Sequence, residues 1–132
     1  MSRYEIINPE ALGAPRGFNH GLLAAAGGRV LFVAGQIARD QAGRMASDFV
    51  GQFDRALGNV LTVVHKAGGT AADLGRLTIY VTDMGQYRSN LKALGEVYRR
   101  HMGNHYPAMA LVEVSALVDP EALVEIEATG VV

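Results

Sequence analysis

Residues Met109 to Val118 carry apolar side chains on both alternations: Met109, Leu111 and Leu117 on one, Ala110, Val112, Val114 and Ala116 on the other. A strand points successive side chains to opposite faces. A strand apolar on both faces is normally covered on both, so this segment belongs in a sheet with two occupied faces. Close behind it comes Val124-Glu125-Ile126-Glu127-Ala128, a strand of different character. Leu123, Glu125, Glu127 and Thr129 share one face of it, and Val124, Ile126 and Ala128 share the other. Whether that acidic face meets bulk water or a site separates an enzyme from a protein that merely folds.

The rest of the chain supplies the partners for these strands. A short strand is expected around Glu5 to Ile7. Gly21 to Gly35 reads as a hairpin, with its turn at Gly27-Gly28 and Val30-Leu31-Phe32-Val33-Ala34 as a buried strand. Asp40-Gln41-Ala42-Gly43 is a loop. Phe49, Phe53, Leu57, Val60, Val64 and Ala67 recur at helical spacing and predict a helix from Ser47 to Ala67. Ser47 or Asp48 caps it, and Gly68-Gly69 stops it. Leu74 to Thr82 alternates as a strand. Tyr87, Leu91, Leu94, Tyr98 and His101 or Met102 predict a second helix from Gly85 to Met102, ended by Gly103-Asn104. Asp119-Pro120-Glu121 joins the last two strands. The order is β-β-β-α-β-α-β-β, a single α+β domain over residues 1–132 with one mixed sheet and two helices on one face. Two helices cover one face only. The simplest cover for the other is a second copy of the chain, and in such assemblies ligand sites lie in the clefts between subunits.

Composition narrows the function classes. A net charge of −1 gives no basic field for nucleic acid or anionic lipid. With no cysteine, disulfides, thiolate nucleophiles and zinc–thiolate sites are excluded, which suits a reducing cytosol. The start, Met1-Ser2-Arg3-Tyr4-Glu5, lacks a basic-then-apolar leader pattern, and no apolar run approaches the roughly 20 residues of a membrane span. The expectation is a cytoplasmic protein with no nucleic-acid and no membrane partner.

Few residues stand out for chemistry. In a partly desolvated cleft, Glu125 would shuttle a proton to or from a held water; on an ordinary edge strand it would be part of a solvated polar face. Asn19 and His20 sit in Arg16-Gly17-Phe18-Asn19-His20-Gly21, a loop that either lines a pocket or covers surface. His101 and His105 are four apart, but Gly103-Asn104 breaks the helix a metal pair would need, so no metal is expected. Gly27-Gly28 and Gly68-Gly69 belong to no phosphate-cradling motif, and Ser2, Ser47, Ser89 and Ser115 lack a nucleophile-elbow context.

Several segments, in order, carry a family resemblance. Arg16-Gly17-Phe18-Asn19-His20-Gly21 is similar to Gly-Pro-Tyr-Ser-Gln-Ala/Gly, and Ala34-Gly35-Gln36-Ile37 to Ser-Gly-Gln-Ile. Gln52 with Asn59-Val60, then Ala67-Gly68 with Asp73-Leu74, match a Gln…Asn-Leu/Val helix and an Ala-Gly…Asp-Val junction. Tyr106-Pro107-Ala108-Met109 with Val112-Glu113-Val114, and Val124-Glu125-Ile126-Glu127-Ala128, match Pro-Ala-Arg…Val-Glu-Val and Val-Glu-Ile-Glu-Ala. These are motifs of the RidA/YjgF family of reactive-intermediate (enamine/imine) deaminases, also called the endoribonuclease L-PSP family, which this chain resembles over nearly its whole length. The resemblance implies a chorismate-mutase-like fold, a homotrimer, and a small-molecule ligand in clefts between neighbouring subunits. It implies no cofactor, because an imine carbon is already electrophilic. Carried over residue by residue, it makes Glu125 the holder of the attacking water. It places Phe18, Asn19, Ala34, Gly35, Gln36, Gly95, Tyr106, Met109 and Leu111 around the ligand. His20 is added as an assisting acid or base.

The departures fall in that cleft. The Arg that clamps a substrate carboxylate in deaminating members is Met109, which removes two-pronged, charge-assisted recognition at that position. The family's Ser is Ala34, its second-helix Asn falls on Gly95, its Cys is Leu111 and its Tyr is Phe18. Asn90 lies more than a turn upstream of Gly95. The expected cleft is apolar, with Asn19, His20, Glu125 and Tyr106 as polar points, suited to an apolar or aromatic ligand with a polar end. Poor turnover of 2-aminoacrylate and 2-iminobutanoate follows. Two functions stay open: a hydrolase, deaminase or tautomerase-like enzyme acting on an enamine or imine, and a non-catalytic small-molecule-binding or scaffold trimer. A ribonuclease role is disfavoured by the near-neutral charge and the lack of a basic stripe with interleaved aromatics.

Overall fold

The computed structural model describes residues 3–25 and 27–132; Met1, Ser2 and Ala26, and with them the reading of Ser2, lie outside the described residues. The elements run β1 (Tyr4–Ile7), β2 (Gly21–Ala24), β3 (Val30–Gln36), α1 (Phe49–Lys66), β4 (Leu74–Val81), α2 (Met84–Ser89), α3 (Leu91–Met102), β5 (Ala108–Glu113) and β6 (Val124–Val131). This is an α+β fold whose mixed sheet is flanked by helices. In that sheet, ordered β3-β6-β4-β5, β4 runs parallel to β5 and antiparallel to β6.

Three expectations about the strands are corrected. The strands form two hydrogen-bonded groups rather than one sheet, because β1 and β2 pair only with each other. The hairpin over Gly21 to Gly35 therefore does not form: β2 lies against β1, with Ile6 opposite Leu22, and β3 against β6, with Val33 opposite Ala128. Gly27 does turn the chain, at φ +100°. Beyond it the backbone is taken up by the end of the chain, where Arg29 N donates to Val132 O at 2.8 Å and Val132 N returns a bond to Arg29 O at 2.9 Å. The strand expected from Met109 to Val118 stops at Glu113, where its partner β4 also ends at Val81. An edge strand without a partner has no ladder to continue, and Val118 is fully exposed.

Helix α1 begins at Asp48, whose side chain accepts from Gly51 N at 3.0 Å. It buries Phe49, Phe53, Leu57, Val60 and Val64 against one sheet face, where Leu77, Ile79, Val81, Val124 and Ile126 wait. The second predicted helix is divided at Asn90. Ser89 Oγ donates to Gly85 O at 2.6 Å and Asn90 Nδ2 to Gln86 O at 2.7 Å. Such side-chain bonds to earlier carbonyls compete with the helical ladder, and α2 ends there. Helix α3 packs Leu94, Val97, Tyr98 and Met102 into the same core.

A polar link ties α1 to α3. His101 Nε2 lies 2.6 Å from Asp54 Oδ1, and Arg100 lies 3.4 Å from the other carboxylate oxygen. Partial burial acts to raise the Asp54 pKa, but the His101 hydrogen bond and the Arg100 charge outweigh it and hold the carboxyl below its usual range. A depressed folded-state pKa gives stability that is present above the ordinary Asp value, about 3.9, and lost as pH falls through the folded value. Asp54→Asn is therefore expected to lower stability at pH 7 and to make little difference at pH 2. Urea unfolding of both proteins at the two pH values checks this.

The opposite sheet face has no helix over it. Phe32 is 78 % exposed there, with Val30 and Val112 also open to solvent. Among the described residues, no helix is long and apolar enough to cross a membrane.

Candidate functional site

Alternation along β6 puts Val124, Ile126 and Ala128 into the core and Glu125 and Glu127 on the face without helices. The β4–β6 register sets Tyr80 opposite Glu125 and Thr78 opposite Glu127. Tyr80 Oη donates to Glu127 Oε1 at 2.5 Å. That bond, with partial burial and the negative charges of Glu127 and Glu125, pushes the phenol above its ordinary pKa. Glu125 is half-buried, and no hydrogen bond or ion pair from another described residue reaches its carboxylate.

What holds Glu125 is β3. Between the pairs Val33–Ala128 and Gln36–Ile126 the register shifts, so Ala34 and Gly35 together face Glu127. Such a bulge re-aims the strand. The Glu125 side chain lies against Gly35 so closely that a Cβ there would sit 2.6 Å from Oε2 and 2.8 Å from Cδ. Gln36 Nε2 donates to Ala34 O at 3.1 Å, bracing the bulge. The predicted residues Ala34 and Gly35 thus lie on the Glu125 side of the sheet, while Gln36 pairs with the core-facing Ile126 and does not join them.

Two side chains of α1 fix where these strands end. Gln52 is 2 % exposed; its Nε2 donates to Ala46 O and Glu121 O, both at 3.0 Å, and its Oε1 accepts from Leu123 N at 2.7 Å. Asn59 Nδ2 donates to Ile37 O at 3.0 Å and Arg39 O at 2.9 Å. Gln52 thereby sets the entry into β6, just before Glu125, and Asn59 sets the exit from β3, just after Gly35.

Met109 and Leu111 lie elsewhere. They pair with Leu77 and Ile79 and so face the helix side of the sheet, opposite to Glu125. There they line an open pocket of about 220 Å³ with Gly95, Tyr106, Tyr87, Leu94, Tyr98, Arg99 and Gly17. The rings of Tyr98 and Tyr106 stack at 5.2 Å and 11°. Tyr98 Oη donates to His105 O at 2.7 Å, and burial, with Tyr106 beside it, pushes its phenol pKa up. Glu125 and His20 do not line this pocket.

The loop before β2 makes a third group. Asn19 Nδ2 donates to Tyr106 O at 2.6 Å, its Oδ1 accepts from Asn8 Nδ2 at 2.8 Å, and its backbone N donates to Pro107 O at 3.3 Å. Its polar atoms therefore fasten the loop to the approach of β5. His20 Nε2 lies 3.1 Å from Gly13 O, and its ring meets Phe18 edge-on at 5.2 Å. His101 faces Asp54 and His105 faces Leu74 O at 2.6 Å, so these two share no ligand site. Among the described residues, no three His, Cys, Asp or Glu side chains gather as a metal site.

Two residues escaped the sequence reading. Tyr80 shares a face with Arg76 and Thr78 in the alternation, but its place beside Glu125 depends on a strand pairing that spacing does not reveal. Arg99 was within reach of sequence reasoning, standing four residues after Gly95 and so one helical turn along the same face.

The comparisons agree with this architecture. Residues 9–132 match the family model described as "Endoribonuclease L-PSP". A Yersinia pestis protein of unknown function from the conserved Rid family, YyfB, superposes with a TM-score of 0.86 at 34 % identity, covering 98 % of this chain and 99 % of that one. The RutC family protein PH0854 of Pyrococcus horikoshii is 33 % identical over 126 residues, 94 % of each chain. Escherichia coli TdcF, solved with bound serine, gives a TM-score of 0.71 at 27 % identity over 91 % of each chain. With a family model spanning nearly every residue and relatives matched end to end, the chain belongs to the RidA/YjgF (endoribonuclease L-PSP) family.

Proposed function

We propose that the protein is a hydrolase that deaminates an enamine or imine, with Glu125 as its acid–base residue, in a homotrimer whose clefts lie between subunits. The observation that carries this reading is Glu125: half-buried, its carboxylate braced against Gly35 and hydrogen-bonded to no described residue. Its oxygens reach solvent and so are open to a water or a ligand, whereas the Glu127 carboxylate is spent on Tyr80.

The two-sided arrangement supports a shared cleft. Glu125 and the Met109 pocket stand on opposite faces of one sheet, so a ligand in that pocket would meet the Glu125 of a neighbouring copy. The exposed Phe32, Val30 and Val112, on the same sheet face as Glu125, would be the surface that neighbour covers. The serine held by TdcF supports a small amino-acid-derived ligand.

In the reaction, Glu125 takes a proton from water as the water oxygen bonds to the C=N carbon. The nitrogen is protonated, the C–N bond breaks as the hydroxyl collapses to a carbonyl, and ammonia leaves. The sum is imine plus water to carbonyl plus ammonia, with no electrons transferred; an enamine first gains a proton on carbon to become the imine. His20, tied to Gly13 O, has no required step.

Imine hydrolysis tests this. 2-Aminoacrylate is generated by a dehydratase, and larger imines by an amino-acid oxidase, and ammonia release is followed for wild type, Glu125→Gln and Met109→Arg. Wild-type activity on at least one imine, absent in Glu125→Gln, is the expected result. Catalysis of none of them would favour the competing reading, a non-catalytic binding trimer, to which the replacements at Met109, Gly95 and Ala34 already lend weight.

Gly35 offers a second check. Its backbone has no positive φ, so the chain itself tolerates a side chain there. Gly35→Val is expected to fold but to push the Glu125 carboxylate aside, lowering turnover by about tenfold or more, in keeping with the sensitivity of catalysis to a misplacement of about 1 Å. Unchanged rates would show that Gly35 does not position Glu125.

A further inference from the structure

The Met109 pocket is apolar in most of its wall, but one charged residue enters it. Arg99 lines the pocket with Leu94, Gly95, Tyr106 and Met109. Its guanidinium folds back along α3 over Gly95, where a Cβ would stand 3.2 Å from Nη1 and 3.8 Å from Cζ and Nη2. The glycine leaves room for that conformation, and a larger side chain would contest it. Among the described residues, no carboxylate pairs with Arg99; Asp54 is taken by the adjoining Arg100 and by His101. A guanidinium stays charged at any working pH and presents a planar fork of donors matched to a carboxylate. Here that fork is unspent and faces a cavity.

We propose that Arg99 is the anion-binding residue of this pocket, holding the carboxylate of a ligand whose apolar, planar body lies along Leu94, Met109 and Tyr106. This rests on reading the pocket as one half of the catalytic cleft. It also alters the expectation from Met109. Loss of the clamp on β5 does not leave the cleft without a cation, because Gly95 lets α3 supply one from the other wall. The preferred ligand is then an unsaturated carboxylic acid with a bulkier apolar body, and the neutral counterpart of such a ligand binds less well.

Binding of benzoate and of its neutral isostere benzamide separates these cases, with backbone amide chemical shifts as the readout. Wild type is expected to bind benzoate about ten- to hundredfold more tightly than benzamide, the range of a charge-assisted hydrogen-bonded contact. Arg99→Met keeps the aliphatic packing and is expected to erase that preference, and Arg99→Lys to restore only part of it. Arg100→Met removes the same charge next to it and is expected to retain the preference. Arg99 is exposed, so these variants should fold, and their unperturbed amide spectra establish that they do. Equal binding of benzoate and benzamide to wild type, or an undiminished preference in Arg99→Met, would overturn the proposal. The readout involves no turnover. Failure here with Glu125-dependent hydrolysis intact therefore removes Arg99 alone, and benzoate binding without hydrolysis leaves Arg99 standing.

Discussion

Glu125→Gln is expected to lower the rate of imine hydrolysis by about 10²- to 10⁴-fold, the usual contribution of a positioned acid–base group. Little else should change. No described residue donates to the Glu125 carboxylate, so the amide breaks no internal bond. A surface-like substitution of that kind shifts stability by about 0.5 kcal/mol or less. The contrast between a large kinetic effect and a small thermodynamic one is what distinguishes a catalytic carboxylate from a structural one. Glu127→Gln supplies the comparison. Its partner Tyr80 still has an acceptor in the amide oxygen, and Glu127 has no step in the reaction, so its rate should stay within about threefold of wild type. Steady-state ammonia release from the three proteins, with denaturant unfolding alongside, decides the point.

Gln52→Ala should have the largest effect on stability. Among the described residues, Gln52 is the polar side chain buried in the core, and it satisfies two carbonyl oxygens and one backbone N–H from two separate loops. Truncation leaves Ala46 O, Glu121 O and Leu123 N without that partner and opens a void where the buried side chain stood. Each unsatisfied buried group costs about 1–3 kcal/mol, with partial relief from water entry, so a total near 3 kcal/mol is expected. For a chain of this length that lowers Tm by roughly 10 °C. Gln52→Glu should fare no better, since a carboxylate still accepts from Leu123 N but cannot donate to the two carbonyls and brings a charge into the core. Calorimetry on both variants tests this; a Tm within two degrees of wild type would show that the network contributes little.

The secondary structure was legible because its signals are local. The period of α1, the Asp48 cap and the alternation Val124-Glu125-Ile126-Glu127 each depend on neighbours a few residues away. Strand partnership was not legible. Gly27-Gly28 does encode a turn, yet what lies beyond it is decided by Val132, more than a hundred residues later. The division of the second helix at Asn90 comes from two side chains bonding back to their own helix, a choice that an apolar stripe does not record. The site shows the same limit. The resemblance placed Gly35, Gly95, Met109 and Glu125 around one ligand, but motif order alone cannot say that Gly35 with Glu125 and Gly95 with Met109 occupy opposite faces of one sheet. Nor does the sequence show that Asn19 spends its amide on Tyr106 O, or that Arg99 leans over Gly95. Gln52 and Asn59, matched only as family positions, prove to be braces for the strand ends that carry the candidate site.

In the proposed trimer the catalytic cleft is made by two subunits, one giving Glu125 and the next its pocket. Activity of mixed oligomers tests it most directly. Glu125→Gln chains keep an intact pocket, while Gly95→Phe chains keep Glu125 but fill the pocket. Each alone should be inactive toward the imine that wild type hydrolyses. Co-expressed in equal amounts and purified through two tags, they should recover activity, since every mixed trimer restores about one of its three sites. Mixed oligomers no more active than either parent would contradict the shared cleft.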